Sequence, residues 1–146
     1  MGEVPSAWRL HHVGVAVADV VAAAEPYVAG FGMVPLGEVV RDETQRVDLL
    51  FLGGPDLPSG AGPDAGVTLE LVAPYDDASP VAGHLIRGIG AYHSCYEVAD
   101  LDAALTRLRS ARFRVLAEPV PAVAFGGRPI AWLLAPSRHL VELLGA

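Results

Sequence analysis

Lysine is missing from this chain: all ten basic residues are arginines. Schiff-base catalysis and the lysine of a phosphate-binding P-loop are therefore excluded. Cysteine is nearly missing too, and the single Cys95 excludes an intrachain disulfide, which suits a reducing compartment. Positive charge is scarce, with 10 basic against 17 acidic residues and a formal net charge of -7. A nucleic-acid backbone needs a basic surface and is a poor partner for such a chain. No apolar run approaches the roughly 20 residues that a bilayer span requires. The opening MGEVPSAWRL lacks the basic-then-apolar order of a secretory signal. The expectation is a cytoplasmic protein that acts on a small molecule, with no membrane or nucleic-acid partner. What is present is core-forming material: 52% hydrophobic and 18% charged residues in 146, enough for one domain spanning 1–146.

A weak internal repeat organises that domain. His12-Val-Gly-Val-Ala-Val-Ala-Asp19 and His93-Ser-Cys-Tyr-Glu-Val-Ala-Asp100 align at a constant offset, with Val-Ala-Asp in register. Each half then closes on a glutamate between aliphatics, Leu69-Glu70-Leu71 and Val141-Glu142-Leu143. The predicted architecture is α+β, two βαβββ modules covering about 8–75 and about 89–146. Alternation and valine content predict a strand over 10–18. Asp19 is a fitting N-cap for a helix over about 20–31, closed by Gly32, with Pro26 an awkward interior residue. Asp100 caps a second helix, where Leu101, Ala104, Leu105 and Leu108 share one face. Further strands are expected at 36–42, 46–52, 67–72, 113–117, 130–134 and 139–144, with a Gly/Pro-rich loop from Gly53 to Gly66.

His12, Glu70, His93 and Glu142 are the candidate metal ligands. Two imidazoles and two carboxylates suit one divalent first-row ion, Co, Ni, Mn or Zn ahead of Fe, rather than Mg or Ca. Four ligands leave positions open for water or a chelating substrate, as catalysis requires. A carboxylate on a buried strand needs a partner; an arginine is the competing one. His11 is set aside as a ligand, Cys95 reads as a buried thiol, and His84 and His139 read as exposed.

The same residues resemble the vicinal oxygen chelate superfamily: the His12 strand, Tyr92-His93-Ser-Cys-Tyr-Glu-Val-Ala-Asp100, and the terminal Val141-Glu142-Leu143. Val72-Ala73-Pro74, then Ser79-Pro80-Val81-Ala82 and Gly90 to His93, are similar to the methylmalonyl-CoA epimerase family. The resemblance implies a partly open mixed β-barrel around one metal, and a homodimer. It implies a metal-dependent epimerase that abstracts a proton next to a carbonyl through an enediolate. It places metal ligands at His12, Glu70, His93 and Glu142, and acid/base roles on Glu142, Glu70 and Asp48. The family usually has glutamine where Glu70 stands, and the four-ligand set here is similar to glyoxalase I. A glyoxalase I-like lyase is therefore one alternative, and a small-molecule (antibiotic) binding protein without catalysis is another. The substrate is expected to be a small molecule such as an acyl thioester. Arg128, Phe125 and Trp132 are the candidate substrate-binding residues, Arg128 for an anionic group.

Overall fold

The computed structural model describes residues 8–58 and 60–146. The segment 1–7, which holds most of the stretch read for a secretory signal, lies outside the described residues, as does Ser59 in the Gly/Pro-rich loop. The chain divides into two units, His12–Tyr92 and residues 8–11 with His93–Ala146.

The first unit contains most of β1 (Arg9–Ala16), then α1 (Val20–Phe31), β2 (Val34–Pro35), β3 (Val40–Asp42), β4 (Val47–Gly53), β5 (Thr68–Pro74) and α2 (Pro80–Ile86). β5 is the central strand, parallel to β1 and antiparallel to β4, while β2 and β3 both pair with β4. Of the strand expected over 36–42 only 40–42 forms, as β3; β2 precedes that range, and between the two Gly37 takes a φ of 110° that extended backbone cannot continue through. α1 starts as expected: the Asp19 carboxylate accepts from the Ala22 N–H at 2.9 Å, and Gly32 closes the helix with φ 68°. The helix runs through Pro26. Pro26 and Ala22 are both exposed, so the carbonyl that loses its donor can turn to water. Val20 and Ala24 of α1 pack on Leu50, Leu52, Leu71 and Ala73, which identifies the helix-bearing face of the sheet. α2 was not expected. Its signal is Ser79-Pro80, an N-cap whose hydroxyl accepts from Val81 N–H, followed by proline in the first turn.

The second unit repeats the pattern with β6 (Ala91–Glu97), α3 (Leu101–Ser110), β7 (Arg114–Val115), β8 (Val120–Pro121), a 3-10 turn (Val123–Phe125), β9 (Pro129–Leu134) and β10 (Leu140–Leu144). β10 is central, parallel to β6 and antiparallel to β9; β7 and β8 both pair with β9. The Asp100 carboxylate caps α3 through the Ala103 N–H at 3.0 Å. Leu101, Ala104 and Leu105 bury against Ala131, Leu133, Val141 and Leu143. Each unit is therefore βαβββ with its second strand interrupted. Within each, the sheet is mixed and open. No helix among the described residues is long and apolar enough to cross a membrane.

Candidate active site

Strand alternation decides which side chains meet. In the first unit, Leu69, Leu71 and Ala73 of β5 turn toward α1, so Glu70 takes the opposite face. His12 lies one parallel strand away, with Thr68 and Glu70 as the register partners of His12 and Gly14. Both site residues are buried, His12 at 0% and Glu70 at 4% exposure, and His12 Nε2 stands 3.5 Å from Glu70 Oε1. Phe51, directly opposite Glu70 on β4, meets the His12 ring edge-on with centroids 5.6 Å apart.

The second unit builds the same arrangement. Val141 and Leu143 face α3, which leaves Glu142 on the other side. His93 Nε2 stands 3.6 Å from Glu142 Oε1, and both residues are buried. Trp132 is opposite Glu142 on β9 and meets His93 edge-on at 4.8 Å. Cys95, fully buried, is the register partner of Glu142 on β6.

Separations of 3.5 and 3.6 Å are long for a hydrogen bond between nitrogen and a carboxylate. They are the spacing of two donors that each sit about 2.1 Å from one ion at an open angle. Buried imidazole nitrogens beside buried carboxylates are the chemistry a divalent transition metal selects, so the residues present fit such an ion.

Other expected site residues lie elsewhere. Asp48 alternates with Leu50 and Leu52 on β4 and is opposite Ala73, which puts it on the face that carries α1. Arg41 grips it through two hydrogen bonds of 2.8 and 3.0 Å, and this pairing holds its carboxyl below the usual range. Asp48, expected in an acid/base role, thus lies on the opposite face of the sheet from Glu70. Arg128 was expected to take an anionic group. Its guanidinium donates to Glu97 at 2.8 Å and to the Gly145 carbonyl at 2.8 Å. Arg9 holds the other Glu97 oxygen at 2.7 Å. Phe125 is buried and stands edge-on to His11, itself fully buried, at 5.3 Å. His84 is half-buried against Tyr92 rather than exposed, while His139 is exposed and bonds Ser94 at 3.2 Å. Phe51 was missed by sequence reasoning. The signal existed: Phe51 and Trp132 stand at the same 81-residue offset as His12 and His93.

Comparison with known proteins gives this geometry a family. Residues 11–132 match the model of the Glyoxalase/Bleomycin resistance protein/Dioxygenase superfamily, a span that contains His12, Glu70 and His93. An ethylmalonyl-CoA/methylmalonyl-CoA epimerase of Cereibacter sphaeroides is 34% identical over 127 residues, covering 86% of this chain and 87% of its own. The crystal structure of methylmalonyl-CoA epimerase from Mycobacterium tuberculosis superposes with a TM-score of 0.75 at 31% identity, over 93% of this chain and 86% of that one. A methylmalonyl-CoA epimerase in complex with methylmalonyl-CoA and ammonium gives 0.77 at 29%, over 97% and 96%. Twin βαβββ units, twin His–Glu pairs and these likenesses together make the chain a member of the Glyoxalase/Bleomycin resistance protein/Dioxygenase superfamily and, within it, an enzyme of the methylmalonyl-CoA epimerase family.

Proposed function

We propose that this epimerase acts on a branched malonyl-type CoA thioester such as methylmalonyl-CoA. It inverts the carbon between the thioester and the carboxylate, with one divalent metal ion held jointly by His12, Glu70, His93 and Glu142. The observation that carries the reading is the duplicated pair: a buried imidazole and a buried carboxylate 3.5 and 3.6 Å apart, at equivalent places in two like units. When bound, the ion supplies Lewis-acid polarisation of the substrate carbonyl.

The chain's own groups do the rest. The α-hydrogen of a malonyl thioester lies between two carbonyl carbons, so a carboxylate with suitable reach is an adequate base. Inversion needs one group to take the proton and another to return it on the opposite side of the carbon. Glu70 and Glu142 are assigned these roles, one from each unit, since a carboxylate has a second oxygen to offer a proton. Asp48, engaged by Arg41 on the helix-bearing face, is given none. Trp132 and Phe51, flanking the two pairs, supply apolar walls that keep water from the reacting carbon. Relatives named as epimerases speak against the lyase and sequestration alternatives.

The test is proton exchange. Metal-replete protein in heavy water should place deuterium at C2 of methylmalonyl-CoA and equilibrate its two epimers. Chelated protein should do so at least 100-fold more slowly. A protein that binds one ion per chain and leaves C2 of both methylmalonyl-CoA and ethylmalonyl-CoA unexchanged would overturn the substrate assignment.

A further inference from the structure

We propose that Phe51 and Trp132 are positioning residues for the two histidines, a duplicated aromatic layer that sets the plane in which each imidazole stands. The consequence for ion binding rests on the metal reading above; the positioning itself does not. Three observations agree. Phe51 is the register partner of Glu70 and Trp132 that of Glu142, each on the antiparallel strand beside its glutamate. Each ring meets the histidine of its own unit edge-on, with interplanar angles of 79° and 81° and centroids 5.6 and 4.8 Å apart. The same 81-residue offset separates His12 from His93 and Phe51 from Trp132. The repeat thus carries a triple of histidine, aromatic and glutamate, where the sequence alone displays a pair.

The physical need is specific. The torsion that orients an imidazole is broad and roughly twofold, so a place on a strand does not decide the plane in which the ring stands beside the neighbouring carboxylate. An edge-on aromatic partner narrows it to one plane, because the positive rim of one ring prefers the negative face of another at this separation, and the carboxylate then selects the nitrogen that faces it. A leucine would fill much of the volume without that preference. The two layers differ in one respect: Phe51 is buried at 5% exposure while Trp132 is only half-buried.

Two readouts test the proposal, using Phe51→Leu, Trp132→Leu and Trp132→Phe, each first checked for a native backbone NMR spectrum. The first is the imidazole 15N spectrum of chelated, metal-free protein. Each leucine variant should broaden or shift the nitrogens of its own histidine, and Trp132→Phe should restore those of His93. The second is titration with Co2+, followed by its visible absorption. The leucine variants should bind about 3-fold to 10-fold more weakly, and Trp132→Phe should recover most of the loss. Imidazole spectra unchanged in both leucine variants would overturn the positioning role, whatever the metal does. Wild-type protein that takes up no Co2+ would instead remove the shared-ion reading, and the metal-free spectra would still decide the role of the rings.

Discussion

Glu142 shows how much one side chain can be asked to do. It is buried at 3% exposure, faces His93 and lies opposite Trp132, in a position where an amide of equal shape would keep the packing and lose the charge. Glu142→Gln is therefore expected to leave the melting temperature within a few degrees, weaken metal binding at least 10-fold, and cut C2 exchange at least 100-fold. Asp48→Asn, which alters the Arg41 pair, should change exchange by less than about 3-fold, since an exposed ion pair contributes about 0–1 kcal/mol. Parallel exchange assays on the two variants check this, and equal losses would return Asp48 to the reaction. Glu97 makes a different prediction. Arg128 and then Arg9 hold its carboxyl below the ordinary value, so its folded form binds a proton less readily than its unfolded form. The stability it confers is present above the unfolded value of about 4.3 and is lost as pH falls through the lower folded value. Urea melts of wild type and Glu97→Gln should differ by about 1–3 kcal/mol at pH 7, with the gap narrowing toward pH 3. A gap independent of pH would remove Glu97 from the acid response.

Among the elements, α1 was legible from its ends, because capping is local chemistry: Asp19 and Gly32 do what their residue types predict. The interior was harder to read. Pro26 argues against a continuous helix, and the helix persists because its Val20 and Ala24 stripe is buried against β4 and β5. Pro26→Ala should raise the stability by about 1–3 kcal/mol in thermal melts, restoring a backbone bond at an exposed site. An unchanged or lowered melting temperature would show that the proline ring is itself useful there. The broken strands were not legible. One strand is expected over 36–42, and the structure instead has β2 at 34–35 and β3 at 40–42, with the non-extended backbone of Gly37 between them. α2 was missed because seven residues carry too little periodicity to register against a loop.

At the scale of the whole chain, the proposed ion draws its ligands from both units, and this has a signature that single pairs would not give. One equivalent of metal should saturate the wild type and raise its melting temperature, since a ligand that binds only the folded form stabilises it by mass action. His12→Ala and His93→Ala should each abolish that rise, although the two residues belong to different units. Half the rise surviving in either variant would mean two separate sites. The sequence by itself determined the repeat, the four ligand candidates, the capped helices and the family, because all of these follow from residue types at short or constant spacing. Only the tertiary structure decided which face each strand residue takes. Alternation fixes that neighbours point oppositely, but the phase is set by which side α1 and α3 cover. That packing turned Asp48 toward the α1 side, engaged Arg128 with Glu97, and brought Phe51 and Trp132 against the histidines, contacts between strands distant in sequence that no local pattern encodes.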